Sequence, residues 1–307
     1  MKNWMFKIFT LMLTLSLAIP ACSSASAPKI SGKIKILVVE TFLADITHNI
    51  AGDRIQIDTL MPVGMDPHTF EPTPQDVAKI AESQVLIING AHFEEWLDET
   101  LANAGGEHQV IEASAGLISR TPGPYESADS EHAGDPHFWL DPVSVIHYVE
   151  NIRDGLSALD PAGKSVYENN ALEYTNRLKE LDTWINMQVQ QIPTEKRMLV
   201  TNHETFGYFA DRYGFQIYGT VIPGTSSAAS PSAQQMADLI TRIKLSKVKA
   251  IFLEQGANTD LAEQIAHETG AIVITNMYTH STSEAGGEAP TYIDMIMHNV
   301  KLLMMLK

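Results

Sequence analysis

Residues 160–193 read DPAGKSVYENNALEYTNRLKELDTWINMQVQQIP, and this stretch decides how the rest of the chain is organised. Asp160 and Pro161 suit a helix start: aspartate can cap free N–H groups, and proline's fixed φ fits the first turn. Tyr167, Ala171, Tyr174, Leu178, Leu181 and Ile185 then alternate four- and three-residue spacings, which makes one apolar stripe on a helix. Nothing interrupts the pattern until Pro193, which cannot continue it. About thirty residues at 1.5 Å each span roughly 45 Å, enough to cross a whole domain. A stiff helix of that length in mid-chain predicts a spine joining two lobes. A long surface helix within one lobe is the plainer alternative.

On both sides of the spine, short apolar runs alternate with helical patterns. Upstream they are Lys33–Glu40, Ile55–Met61, Val85–Asn89 and Gln109–Ala113. Downstream they are Arg197–Thr201, Gln216–Ile222, Val248–Glu254 and Ala271–Thr275. Such alternation argues for parallel βα units. The expected fold is α/β: two βα lobes with parallel four-stranded sheets, joined by one long rigid helix. The expected boundaries are 33–160 for the first lobe, 161–192 for the helix and 193–307 for the second lobe. Residues 119–136 are polar and rich in turn formers, which predicts a mobile loop. A helix is expected after Asp141, with Pro142 at its first position.

The N-terminus has the pattern of an export signal. Lys2 and Lys7 precede an apolar run, Phe9 to Ile19, that is too short to span a bilayer. Ile19-Pro20-Ala21-Cys22 looks like a bacterial lipobox, with an ordinary secretory signal as the alternative. Residues 1–21 are therefore expected to be a signal peptide and 22–32 a tether, with Cys22 lipidated and anchoring the protein to a membrane. Cys22 is the only cysteine, which rules out an internal disulfide and a thiolate metal site beyond it. The net charge of −16 disfavours a nucleic-acid partner.

Chemistry is concentrated in histidines. Asp66-Pro67-His68-Thr69-Phe70-Glu71-Pro72 and Asp135-Pro136-His137-Phe138-Trp139-Leu140-Asp141-Pro142 each place an imidazole straight after a proline. Proline stiffens its own φ and the residue before it, so such an imidazole loses little freedom on binding. His203 and His280 follow predicted strands of the second half. In open parallel sheets, ligands bind beyond the carboxyl ends of the strands. His68, His137, His203 and His280 are thus expected to meet between the lobes, two from each. Four imidazoles suit tetrahedral Zn²⁺; Cu²⁺ or Ni²⁺ would tolerate them, while Mn²⁺ prefers oxygen. A closed four-ligand set suits binding, whereas a catalytic zinc keeps one position open. Taken singly, each histidine could be a polar surface residue, and His132 and the others are read that way. Glu204 and Glu254 are candidates to hold the far ring nitrogens, with Glu71 in a supporting role. Phe70, Phe138 and Trp139 are candidates for an apolar wall.

Met65–Pro74, Asp135–Pro142, the mid-chain helix, His203–Phe209 and Tyr292–Asn299 together resemble the metal-specific solute-binding lipoproteins of bacterial zinc and manganese ABC importers. The resemblance runs from about Lys33 to Lys307. It implies two βα lobes on one rigid helix, with the metal between them and no enzyme activity. It also implies a membrane permease as partner and an extracytoplasmic, lipid-anchored location; a monomer is expected. His68, His137 and His203 would be ligands. The third is histidine in zinc-type members and often glutamate in manganese-type ones. The fourth is typically aspartate, and Tyr278-Thr279-His280-Ser281 puts His280 in its place. The expectation is an extracytoplasmic protein that delivers Zn²⁺ to an importer. A Mn²⁺-selective member is the alternative. A zinc hydrolase with Glu204 as base is a more distant one, since no H-E-x-x-H motif is present. Some relatives are also described as adhesins.

Overall fold

The computed structural model describes residues 34–106, 108–127 and 134–307. The signal peptide, Cys22 and His132 lie outside the described residues. The first half runs β1 (Lys35–Val38), α1 (Thr41–Ala51), β2 (Gln56–Thr59), α2 (Pro74–Glu82), β3 (Val85–Ile88), α3 (Leu97–Ala104), β4 (Gln109–Glu112) and α4 (Ser144–Leu159). The spine is α5 (Lys164–Val189). The second half runs β5 (Met198–Thr201), α6 (Gly207–Tyr213), β6 (Gln216–Thr220), α7 (Ala233–Ser246), β7 (Ala250–Glu254), α8 (Asp260–Thr269), β8 (Ile272–Met277) and α9 (Tyr292–Leu303).

The strands form two four-stranded sheets, β2-β1-β3-β4 and β6-β5-β7-β8, in which every pairing is parallel. The α/β fold with two parallel sheets and a long helix is therefore as the sequence predicts. Both sheets repeat one order, so each reverses its winding beside its first strand. That is where an open sheet leaves a crevice beyond its strand ends. Central strands are largely apolar: β7 (AIFLE) is buried at every position, while the edge strand β2 (QIDT) is mostly exposed.

The predicted stripe is the buried face of α5: Tyr167, Ala171, Tyr174, Leu178, Leu181 and Ile185, joined by Val189. It packs against α1 and α4 on one side and α6 and α9 on the other. One continuous core therefore runs from the first sheet through the spine to the second. No helix among the described residues is long and apolar enough to cross a membrane.

Three local expectations fail. Asp160 does not cap the spine. Its carboxylate pairs with Arg54 and accepts the Tyr167 hydroxyl at 2.7 Å, and Pro161–Gly163 forms a separate 3-10 turn. An ion pair and a phenol outcompete a cap. Helix α4 starts at Ser144, after Pro142; ahead of it Asp141 accepts from Val143 N at 2.9 Å and from Ser144 Oγ at 3.0 Å. The described part of the 119–136 loop is pinned. Arg120, which is half-buried, chelates Glu126 at 2.7 Å and Asp211 at 2.8 Å, and Ser127 N donates to Glu204 at 2.8 Å. Ion pairs in partial burial hold what composition alone reads as loose.

Candidate metal site

Both Asp-Pro-His segments use one local device. Asp66 Oδ1 accepts from His68 N at 3.0 Å, which closes the 3-10 turn Pro67–Thr69 beyond β2. Asp135 Oδ1 accepts from His137 N at 3.0 Å and lies 2.8 Å from His137 Nδ1. Proline supplies the stiffness and aspartate the anchor. In the second case the anchor also fixes the ring.

The second half has no such repeat. His203 follows β5, and its carbonyl accepts the Thr201 hydroxyl at 2.8 Å. His280 follows β8 in a segment held by first-half groups: Trp139 Nε1 donates to Thr279 O at 2.6 Å, and Gly64 N to Ser281 Oγ at 2.8 Å. Glu254, the last residue of β7, serves both rings. Its carboxylate lies 2.8 Å from His203 Nδ1 and 3.6 Å from His280 Nδ1.

These elements bring all four predicted histidines together. One nitrogen from each of His68, His137, His203 and His280 falls in a group whose members all lie within 4.8 Å of one another. The six ring-to-ring distances run only from 5.1 to 5.6 Å, close to a regular tetrahedron. His68 Nε2 and His137 Nε2 are 3.3 Å apart. A tetrahedral Zn–N bond of about 2.0–2.1 Å sets nitrogens roughly 3.3 Å apart. His137, His203 and His280 are buried, and the Nε2 atoms of His203 and His280 have no hydrogen-bond partner among the described residues. Buried unpaired nitrogens are rare unless something binds them.

Electrostatics divides the cluster. Burial, then the neighbouring imidazoles, push His137 well below the usual histidine range. Burial also lowers His280, although Glu254 opposes it. Burial works against charge on His203 too, but Glu254 outweighs it and leaves that ring raised. Glu254 is held down at about 2, because His203 and His280 overcome its own burial. Burial lifts Asp135 to about 7. Each ring that faces a carboxylate does so through Nδ1, which leaves Nε2 for a ligand.

The supporting residues differ from expectation. Glu254 faces imidazoles as expected, but Glu204 accepts from the backbone of Ser127 and Gly224 instead, and Glu71 is exposed. Trp139 does lie against His137 and His280, whereas Phe70 packs on Trp96 and Phe138 on Tyr208. Sequence reasoning missed Phe93, whose ring lies within 6 Å of His68, His137 and His280. Its only signal was its place just beyond the end of β3. It also missed Asp135 as a ring partner, although the repeated Asp-Pro-His spacing carried that signal.

Residues 36–305 match the ZnuA family, described as zinc-uptake complex component A, periplasmic. The chain belongs to this family. The manganese-binding lipoprotein MntA of Halalkalibacterium halodurans is 32% identical over 300 residues, covering 98% of this chain and 97% of that one. Among solved structures, the periplasmic zinc binding protein TroA of Treponema pallidum superposes with a TM-score of 0.80 at 27% identity, covering 89% of this chain and 99% of that one. The Mn-bound periplasmic metal binding protein of Candidatus Liberibacter asiaticus gives 0.78 at 29%, covering 90% and 100%. As a ZnuA-family protein, this chain is an extracytoplasmic metal-binding component of an ABC transporter. The family consists of solute-binding proteins that serve transport.

Proposed function

We propose that the protein captures Zn²⁺ through His68, His137, His203 and His280, without chemistry, and hands it to the permease of its importer. It would do so as a monomer, tethered through a lipid on Cys22. The observation that carries the zinc reading is the near-regular tetrahedron of imidazoles, with the carboxylates standing behind the rings. Four nitrogens and no oxygen suit Zn²⁺ and disfavour Mn²⁺. A complete four-ligand set also leaves no open position for the water a zinc hydrolase would need.

One observation favours manganese: relatives at 32% and 29% identity are named as manganese-binding or Mn-bound. In that reading Glu254 would swing from His203 to the metal. Metal-free protein titrated calorimetrically with each ion separates the two. The expected result is tighter binding of Zn²⁺ at one ion per chain, with a loss of about 100- to 1000-fold in each histidine-to-alanine variant, one ligand's share of a typical zinc affinity. If His280→Ala leaves zinc affinity and stoichiometry unchanged, the four-imidazole site is wrong.

A further inference from the structure

The floor of the site comes from a turn held in an unfavourable backbone conformation. Gly90, Ala91 and His92 follow β3 with φ of 82°, 53° and 60°. Successive left-handed residues are costly wherever a Cβ is present, and persist only where the surroundings over-determine them. Glu94 Oε1 accepts from Asn89 N at 2.6 Å and its Oε2 from Gly90 N at 3.1 Å. Glu112 Oε1 accepts from Ala91 N at 3.0 Å. A Cβ on Gly90 would lie 2.1 Å from Glu112 Cγ, so only glycine lets that carboxylate approach. Asn89 Nδ2 donates to Pro136 O at 3.3 Å, which ties the turn to the backbone just before His137. The Tyr148 hydroxyl donates to Asn89 Oδ1. Glu40 is buried beside the turn, and its own burial, then the neighbouring Glu94, raises it well above the usual carboxylate range. The turn is fixed from both sheet and helix.

What this turn presents is Phe93, which is fully buried. Its ring stands edge-on to His68 at 5.0 Å and 89°, and lies 5.7 Å from His137 and 5.8 Å from His280. Trp139 backs it at 4.7 Å. A hydrocarbon ring in that position fixes the planes of three imidazoles. It also puts hydrocarbon, rather than an oxygen donor, beside three of the four imidazoles. Zn²⁺ is satisfied by four nitrogens, whereas Mn²⁺ gains from added oxygen. We infer that Phe93, presented by the turn 89–94, is a specificity-determining residue that keeps the metal four-coordinate and so favours Zn²⁺ over Mn²⁺. The inference rests on the zinc reading above and adds the residue that enforces it.

The test uses metal-free full-length protein with Phe93→Leu and Phe93→Met. Zn²⁺ and Mn²⁺ affinities are measured separately, and the metal's nearest neighbours are counted by X-ray absorption. The expected result is a fall of roughly 10- to 100-fold in the Zn²⁺:Mn²⁺ affinity ratio, the range usual for groups that orient ligands. The Mn²⁺-loaded variants should also gain oxygen neighbours that the unaltered protein lacks. Far-ultraviolet circular dichroism checks folding, and the Met variant, whose flexible side chain fills irregular gaps, stands in if the Leu variant does not fold. A folded variant with an unchanged ratio and unchanged neighbours overturns the inference. Unaltered protein that prefers Mn²⁺ overturns the zinc reading itself, whatever the variants do.

Discussion

His68 and His137 are each anchored by an aspartate two residues upstream, while His203 and His280 depend on one glutamate at the end of another strand. The first half-site is built from local chain geometry. Its parts stay neighbours in any conformation the turn allows. The second half-site exists only once β5, β7 and β8 have paired. Yet the rings end in equivalent positions, with six separations spread over half an ångström. Local and tertiary positioning therefore reach similar precision, but they should fail differently when a single anchor is lost.

The largest expected difference comes from removing those anchors. Glu254→Gln leaves two imidazoles without their carboxylate, and Asp135→Asn leaves one. Loss of a ring partner usually costs about 10- to 100-fold in metal affinity. Glu254→Gln should lie at the upper end of that range and Asp135→Asn at the lower, since the turn's proline still restrains His137. Zinc calorimetry on the two variants measures this. Equal losses would mean that the two halves are not held differently after all.

The same contrast explains what could be read from the sequence. The stripe on α5 and the eight apolar runs were legible because helix and strand periods are local properties. So were His68 and His137, because a proline and an aspartate announce a stiff turn without any knowledge of the fold. His203 and His280 needed strand topology before they became candidates. Phe93 and the choice of Glu254 over Glu204 were not legible: both follow from which loops the paired sheets bring within a few ångströms. The failed cap at Asp160 belongs to the same class, since Arg54 reaches it only through tertiary folding.

Acid should next separate His137 from His203. In the metal-free protein His137 is pushed down, chiefly by burial. Unfolding then takes up a proton below the ordinary value near 6.5, so stability falls as pH drops through that value. His203 is raised by Glu254. Its contribution is present in full below 6.5 and is lost as pH rises through its folded value. His137→Asn should therefore flatten the acid loss of melting temperature between pH 8 and pH 5, and His203→Asn should steepen it. The shifts expected are a few degrees, about 1 kcal/mol in a protein this size. Parallel pH profiles would remove the electrostatic difference between His137 and His203.

The smallest effect should come from the start of the spine, which both halves share. Asp160 pairs with Arg54 and accepts from Tyr167, but Arg54 is 40% exposed, so solvent screens the pair. Ion pairs that open to solvent on one side contribute little. Asp160→Asn should lower the melting temperature by no more than a few degrees. It should leave zinc affinity unchanged, because the buried stripe from Tyr167 to Val189, not the first turn, holds the lobes together. A clear loss of zinc affinity in Asp160→Asn would mean that the two half-sites are coupled through the spine's end. The comparison between a local and a tertiary half would then have to include the helix that joins them.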